Sequence, residues 1–252
     1  MVDDNSDRSE AHSLRQLCRS FGAIYTRLSQ PRNELEALGR RSQARNAGTS
    51  FLDTDVILYL DGDMLLNSGY VHEVKLYHAA LPRIYVRGLR YSIPSEQQSR
   101  GFDHCLREFV QESQATAPSP VKYAGTDDHV QYPSSVRARY DRWEWCASNN
   151  VSVRRRYAIE IGYWDQNFLG WGEEDIDFSF RLFRLGLTPI LLTSVNANCY
   201  HLDHYIDRDA NQMTLRRNAA YLIRKWPEIA EYRRAAYAQY QINVDDLLND
   251  AS

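Results

Sequence analysis

An apolar run of five residues, Val56-Ile57-Leu58-Tyr59-Leu60, is the feature that most constrains the fold of this chain. Polar residues bound the run at both ends, which predicts a strand over residues 55–60 that is buried on both faces. Helical and strand-like patterns alternate around it through about the first two hundred residues, as is typical of layered α/β domains. The sequence therefore predicts an α/β fold built on a buried sheet.

The remaining elements follow from apolar periodicity and from glycine and proline positions. Helices are predicted at about 9–20, 34–47 (ended by Gly48), 68–80, 173–185 (ended by Gly186), 211–225 and 228–240, and strands at about 23–28, 83–91, 145–153 and 187–193. Residues 92–142 are less regular and predict a partly helical insertion with a mobile loop near 113–135. We expect one α/β domain over residues 1–205 and a C-terminal helical tail over residues 206–252.

Composition excludes several classes of protein. The net charge of −3 gives no reason to expect a nucleic-acid partner. No apolar run approaches the roughly 20 residues of a membrane-spanning helix. The four cysteines are scattered without metal-binding spacing, as expected for reduced thiols in a cytoplasmic protein.

Two aspartates, Asp61 and Asp63, close the apolar run. In isolation such a pair is as often a solvated turn as a site. A buried strand, however, delivers both carboxylates to the sheet edge where open α/β folds bind ligands. Hard cations that bridge a diphosphate take oxygen ligands of this kind, which indicates a divalent-metal site.

Two histidines, His201 and His204, follow a later apolar pattern. Either one alone is more simply explained as a surface residue in a polar loop. Their position after the strand at 187–193 favours at least one metal ligand. Nitrogen beside carboxylate oxygen suits Mn²⁺ as well as Mg²⁺.

The run from Gly170 to Asp177 reads Gly-Trp-Gly-Glu-Glu-Asp-Ile-Asp. Helix capping explains acidic residues in a first helical turn, but it does not explain Trp171 between two glycines. An aromatic face on a turn can stack on a sugar ring, and a neighbouring carboxylate can take a proton from a hydroxyl nucleophile. The run therefore favours an aromatic contact to a sugar beside a carboxylate that can act as a base.

These features together resemble GT-A fold glycosyltransferases of the family 2-like group, with a galactosyltransferase-type C-terminal region. Six segments resemble the motifs VDDxS, ARNxG, DxD, NxSxRR, GWGxED and a late histidine segment of that family. They are Val2–Ser6, Ala44–Gly48, Asp61–Asp63, Asn149–Arg155, Gly170–Asp175 and Tyr200–His204, which together cover about residues 1–205.

The resemblance implies a fold and a set of roles. The fold would be a mixed sheet flanked by helices. The donor would be a nucleoside-diphosphate sugar, with UDP as the expected nucleotide and Mn²⁺ or Mg²⁺ on its diphosphate. Asp175 would be the base in an inverting displacement, with Glu174 an acceptor contact or alternative base. The other implied contacts are Asp3, Asp4, Arg45 and Asp61 for the nucleotide, Trp171, Gly172 and Glu174 for a saccharide or other hydroxyl acceptor, and Asp63, His201 and His204 for the metal.

The sequence departs from the family pattern in two places. The strand and helix that usually precede VDDxS are absent before Val2, so the first strand of the sheet is expected to be missing. An uncovered sheet edge predicts self-association, and a peripheral contact with a membrane is a further expected partner. The QxxRW motif of processive members does not follow Asp175, which predicts transfer of a single sugar.

Two alternatives stay open. The chain would be a catalytically impaired GT-A-like binding or scaffolding protein if the short start removes part of the donor pocket. A nucleotidyltransferase would share the nucleotide site, but it would leave Trp171 beside the acidic residues unexplained.

Overall fold

The structure is a computed structural model that describes residues 1–93, 143, 149–192, 194–202 and 207–249. Two compact units make up the chain. The first unit contains Met1–Asp53, Gly162–Phe178 and Ile206–Ser252, and the second contains Thr54–Ile161 and Ser179–Tyr205. Each unit is described separately below.

The strands of the described residues are β1 (Val2–Asp3), β2 (Thr26–Arg27), β3 (Val56–Leu60), β4 (Met64–Leu66), β5 (Ile84–Gly88), β6 (Arg90–Ile93), β7 (Asn150–Arg154), β8 (Thr188–Leu192) and β9 (Cys199–Leu202). The α-helices are α1 (Arg8–Ser20), α2 (Glu34–Ala37), α3 (Arg41–Thr49), α4 (Tyr70–Ala80), α5 (Arg155–Glu160), α6 (Glu174–Arg184), α7 (Arg208–Lys225), α8 (Ala230–Ala238) and α9 (Val244–Asn249). Short 3₁₀ turns cover Val195–Ala197 and Pro227–Ile229.

The second unit contains a four-stranded mixed sheet in the order β3-β7-β5-β8. Strand β7 runs antiparallel to both β3 and β5, while β5 and β8 are parallel. The inner strand β5 is buried at every residue. Helix α4 covers this region through Tyr70 and Val74, which join the core of buried apolar residues.

A three-stranded sheet in the second unit has the order β4-β9-β6. Strands β4 and β9 are antiparallel, and Met64 lies opposite His201. The amide of Leu202 donates to the carbonyl of Asp63 at 2.9 Å. This pairing register brings the end of the Asp61–Asp63 turn beside His201.

The first unit contains the parallel pair β1-β2 and most of the helices. Asp7 begins α1 with a capping box, in which its carboxylate accepts from the amide of Glu10. Trp164 and Phe178 are both buried and stack face to face, with 3.9 Å between ring centroids. This aromatic pair forms part of the core of the unit.

The structure confirms the mixed α/β architecture and corrects several element predictions. Strand β3 is not buried on both faces: Ile57 and Tyr59 on one face are buried, whereas Leu60 on the other face is 42% exposed. The predicted strand at 83–91 is two strands, β5 and β6. Residues 94–142, most of the predicted insertion, lie outside the described residues.

The predicted helix at 34–47 is two helices, α2 and α3. Gly39 between them has a left-handed backbone with φ of 127°, which interrupts the helix. The amide of Arg40 then donates to the carboxylate of Asp4 at 2.6 Å. Gly48 does not end the helix but lies inside α3, where a Cβ would come within 3.2 Å of Val2.

Gly88 is the tightest packed backbone position in the second unit among the glycines described. A Cβ there would clash with the carbonyl oxygen of Ala197 and with the ring of Tyr70. We expect Gly88→Ala to lower the free energy of unfolding by about 1–3 kcal/mol, the usual cost of overpacking. Urea denaturation would measure the change.

Gly62→Ala is the matched control, because a Cβ at Gly62 meets no atom within 4 Å. Equal stability of the two variants would show that the contact around Gly88 is not as tight as described.

Candidate active site

A sharply turned backbone precedes α6 in the first unit. We call residues 169–175 the acid turn. Gly170, Gly172 and Glu173 all have positive φ, of 72°, 101° and 72° respectively. A left-handed conformation is ordinary for glycine but costs roughly 1–3 kcal/mol for other residues, and it persists where the surroundings impose it. Of these three residues, Glu173 is therefore the one whose left-handed backbone is strained.

Close packing against α7 explains both glycines of the acid turn. A Cβ on Gly170 would clash with the side chain of Thr214, and a Cβ on Gly172 would meet Leu215 at 2.7 Å. The amide of Trp171 donates to the hydroxyl of Thr214 at 3.0 Å. The Gly-Trp-Gly sequence thus allows the backbone to lie directly on the helix.

Two buried glutamates of the acid turn each have an arginine partner. Glu173 is 3% exposed, and its carboxylate lies 2.7 Å from the guanidinium of Arg233. Glu174 is 5% exposed and pairs with Arg45 at 3.1 Å. Pairing of this kind is what allows carboxylates to remain buried.

Asp175 follows the two glutamates in the first turn of α6 and keeps partial solvent exposure. Burial raises the pKa of Asp175 to about 7, and the neighbouring carboxylates of Glu174 and Glu173 add to the rise. Arg45 and Arg233 oppose it. A carboxyl whose pKa lies near neutrality is suited to accept and release a proton at that pH.

Asp177, two residues further along the chain, has a structural role. It is fully buried and accepts hydrogen bonds from the indole of Trp226 at 2.8 Å and from Lys225 at 2.7 Å. These contacts hold the start of α6 against the end of α7.

Trp171 is half-buried, and its ring meets that of Tyr240 edge to face with centroids 5.9 Å apart. Tyr240 is 39% exposed. The two rings form an aromatic surface on the first unit next to the acid turn.

The second unit brings two of the predicted metal ligands together. The imidazole nitrogen Nε2 of His201 lies 3.2 Å from the carboxylate oxygen Oδ2 of Asp63. Their side chains are 15% and 31% exposed, so both reach solvent. Asp61 lies in the same turn, where its carbonyl accepts from the amide of Met64 at 3.3 Å.

The spacing of Asp63 and His201 fits a bound divalent cation. Two ligands at right angles around an octahedral ion, each about 2.0–2.1 Å from it, lie about 3 Å apart. A carboxylate oxygen and an imidazole nitrogen are also a donor set that Mn²⁺ accepts. Within the described ranges no group of three or more metal-ligating side chains occurs, and His204 lies outside them.

Comparison with known proteins adds independent information. No protein-family model matches the chain. Validoxylamine A glucosyltransferase of Streptomyces hygroscopicus subsp. jinggangensis (strain 5008) is 27% identical over 202 residues, which are 77% of this chain and 47% of the relative. Hyaluronan synthase of Pasteurella multocida is 26% identical over 195 residues, which are 74% of this chain and 19% of the relative.

The solved structure of GalNAc-T7 with UDP, GalNAc and Mn²⁺ matches 99% of this chain and 47% of its own, with a TM-score of 0.55 and 15% sequence identity. The chain has the GT-A fold, and its relatives are glycosyltransferases. The fold predicted from the sequence is confirmed. This GT-A chain spans less than half the length of the curated relatives described here.

The predicted nucleotide contacts of the GT-A chain make internal contacts in the structure. The carboxylate of Asp3 accepts from the hydroxyl of Tyr25 at 2.7 Å. Asp4 receives the guanidinium of Arg40 at 2.7–2.8 Å. Arg45, besides pairing with a glutamate, lies over the ring of Trp164 at 4.6 Å. Their role toward a nucleotide stays a prediction.

Sequence reasoning missed three residues that contact the acid turn, namely Thr214, Asn218 and Arg233. They come from α7 and α8, and Arg233 is 60 residues away from its partner Glu173. No local pattern marks such a distant contact. The ion pair between Arg233 and Glu173 is visible only once the helices are placed.

Asp175 makes stability depend on pH. Its pKa in the folded chain lies above the ordinary aspartate value of 3.8, so the folded state binds the proton more tightly than the unfolded state. The free energy of unfolding therefore falls as pH rises from about 4 to about 7. We expect Asp175→Asn to be more stable than wild type at pH 8, by about 1–2 kcal/mol.

Urea denaturation at pH 8 and at pH 4.5 would measure this, with the difference between the two proteins shrinking at the lower pH. A difference that is independent of pH would contradict the assigned titration.

Proposed function

We propose that the chain is a metal-dependent glycosyltransferase that moves one sugar from a nucleoside-diphosphate sugar to a hydroxyl acceptor with inversion. The observation that carries this proposal is the acid turn. Its strained backbone presents Asp175 beside two glutamates that are each paired with an arginine. The GT-A fold and the glycosyltransferase relatives support the same reaction class.

In this proposal Asp175 is the general base. It takes the proton of the acceptor hydroxyl, whose oxygen forms a bond to the anomeric carbon of the donor sugar. The bond from that carbon to the diphosphate oxygen breaks at the same time. Because Glu173 and Glu174 are held by arginines, Asp175 is the carboxylate of the turn best suited to accept a proton.

Asp63 and His201 would hold Mn²⁺ or Mg²⁺, with the predicted ligand His204 as a further candidate. When bound, such an ion would offset the negative charge that develops on the leaving diphosphate. Two protein ligands leave room for phosphate oxygens and water, as is usual for ions that bind nucleotides. The solved GalNAc-T7 structure contains UDP and Mn²⁺, which supports a UDP-sugar donor for this chain.

The nucleotide would be contacted by Asp3, Asp4, Arg45 and Asp61, as predicted from the sequence. The acceptor would be a saccharide or another hydroxyl compound that stacks on Trp171 and contacts Gly172 and Glu174. The edge-to-face contact with Tyr240 fixes the orientation of the indole ring, which would favour a flat apolar sugar face.

A second candidate function is a catalytically impaired binding or scaffolding protein. The observation in its favour is that Asp3 and Asp4, two predicted nucleotide contacts, are engaged within the chain by Tyr25 and Arg40. Such a protein would bind the nucleotide without turning over the sugar.

Several broader expectations stay predictions: self-association, a peripheral membrane contact, a cytoplasmic location, and the division into residues 1–205 and 206–252. In the part of the chain that the structure describes, no helix is both long enough and apolar enough to cross a bilayer.

The metal assignment is tested by Asp63→Ala. Loss of one of few protein ligands should remove most of the affinity for the ion, so we expect Mn²⁺-dependent binding of UDP to be abolished in isothermal titration. The control is Asp53→Ala, which removes an exposed aspartate. Unchanged UDP affinity and metal dependence in Asp63→Ala would place the metal elsewhere, and His201→Ala should raise the Mn²⁺ requirement if the pair acts as proposed.

The base assignment is tested by Asp175→Asn, which keeps the shape of the side chain and removes the proton acceptor. We expect turnover to fall by about 10²–10⁴-fold, the usual contribution of a general base, while donor binding is unchanged. Steady-state release of UDP would measure turnover, and isothermal titration would measure donor binding. Wild-type turnover in Asp175→Asn, together with a loss in Glu174→Gln, would transfer the role to Glu174.

A further inference from the structure

The C-terminal helices direct buried polar side chains onto the acid turn. Helix α7 contributes Thr214 and Asn218, and α8 contributes Arg233. Both Thr214 and Asn218 are essentially inaccessible to solvent. Polar groups buried at this depth are retained where their hydrogen bonds are made, so these contacts constrain the turn strongly.

Asn218 ties the first half of the acid turn together. Its amide nitrogen lies 3.0 Å from the carbonyl oxygen of Leu169, 2.9 Å from that of Gly172 and 3.3 Å from that of Trp171. The amide group of Asn218 thus lies within hydrogen-bonding distance of the carbonyls of Leu169, Trp171 and Gly172. Removing it would leave buried carbonyls without this donor, which is costly for a group shielded from water.

Arg233 holds the strained residue. Its guanidinium lies 2.7 Å from the carboxylate of Glu173, whose backbone is left-handed. The guanidinium also lies over the ring of Tyr237, one turn along α8, at 5.1 Å. Because the arginine is itself only 14% exposed, the ion pair is shielded from water, which strengthens it.

We propose that Asn218 and Arg233 are positioning residues for the transfer reaction. They hold the acid turn in the left-handed conformation from which α6 presents Asp175. The predicted C-terminal helical tail, residues 206–252, then contributes to the candidate active site. The proposal rests on the proposed function of Asp175 as the base.

The charges around Asp175 give a test that separates positioning from a general effect on stability, because they change the pH at which Asp175 ionises. The groups that face it are Glu173, Glu174, Arg45 and Arg233. Arg233 favours the ionised carboxylate, and Glu173 opposes it. Replacing Arg233 should therefore raise the pH at which Asp175 ionises, whereas replacing Glu173 should lower it.

The test compares Arg233→Gln with Arg234→Gln. The two arginines are neighbours on α8, but Arg234 is 43% exposed and pairs with Glu231 and Asp245 instead. The control thus removes the same charge from the same helix without touching the acid turn. Hydrogen exchange of the amides at 169–175, kcat, the donor KM and the pH profile are measured on the full chain.

We expect Arg233→Gln to speed exchange at 169–175, to lower kcat by about 10- to 100-fold and to leave the donor KM within about twofold. A displacement of the reacting group by about 1 Å is enough for such a loss in rate. The acidic limb of its pH profile should move to higher pH. Arg234→Gln should match wild type in all four measurements.

Glu173→Gln is the second variant, and it keeps the test decisive if Arg233→Gln does not fold. It should also speed exchange at 169–175 and lower kcat, but its acidic limb should move to lower pH. Wild-type exchange and kcat in the folded variants, or equal losses in Arg233→Gln and Arg234→Gln, would overturn the proposal. So would movement of both pH profiles in the same direction.

Failure of the proposed function would be visible separately. If Asp175→Asn retains wild-type turnover, Asp175 is not the base and the pH profiles do not report its ionisation. The exchange at 169–175 would still show whether Arg233 holds the turn.

Discussion

The left-handed backbone of the acid turn is the constraint on which the candidate chemistry of the first unit depends. Three of its residues have positive φ, and one of them is Glu173. The packing against Thr214 and Leu215 leaves no room for a side chain on either glycine, so the turn can lie on α7 only in this form. The carboxylates that follow are then presented in a fixed order. Glu173 and Glu174 pair with Arg233 and Arg45, whose side chains are largely shielded from solvent, and Asp175 keeps contact with solvent.

In the second unit, the pairing register of two strands determines which candidate side chains meet. The antiparallel pairing of β4 and β9 places Met64 opposite His201 and ties the backbone of Leu202 to Asp63. A shift of one residue would send the imidazole to the other face of the sheet and separate it from the carboxylate. The contact between Asp63 and His201 is therefore set by backbone hydrogen bonds between two strands rather than by a flexible loop. In the proposed reaction, such a rigid pair of side chains would suit an ion that holds a diphosphate in one orientation.

Local sequence patterns predicted several elements of the fold and some residues of the candidate site. The apolar run at 56–60, the helix at 173–185 ended by Gly186, and the pairing of an aspartate with a late histidine were all foreseeable from spacing and residue type. The errors have specific causes. Strand β3 was predicted to be buried on both faces, but only the face of Ile57 and Tyr59 is, because what packs on each face of a sheet is not encoded in one strand. Helix 34–47 broke at Gly39, where a contact between Arg40 and the distant Asp4 outweighs local propensity. Asn218 and Arg233 were not predicted as contacts of the acid turn, because their partners lie far away in sequence.

The most direct test of the proposed glycosyl transfer is to follow the anomeric proton of nucleoside-diphosphate sugars by NMR in the presence of the protein and Mn²⁺. The donors should be chosen from those that bind in a thermal-shift screen. The account predicts that a bound donor is consumed and that the first product seen has the opposite anomeric configuration. It also predicts that Asp63→Ala abolishes the change and that Asp175→Asn slows it by about 10²–10⁴-fold. A donor that binds with Mn²⁺ but stays intact with wild-type protein, with and without added saccharide acceptors, would contradict catalysis and favour a binding protein.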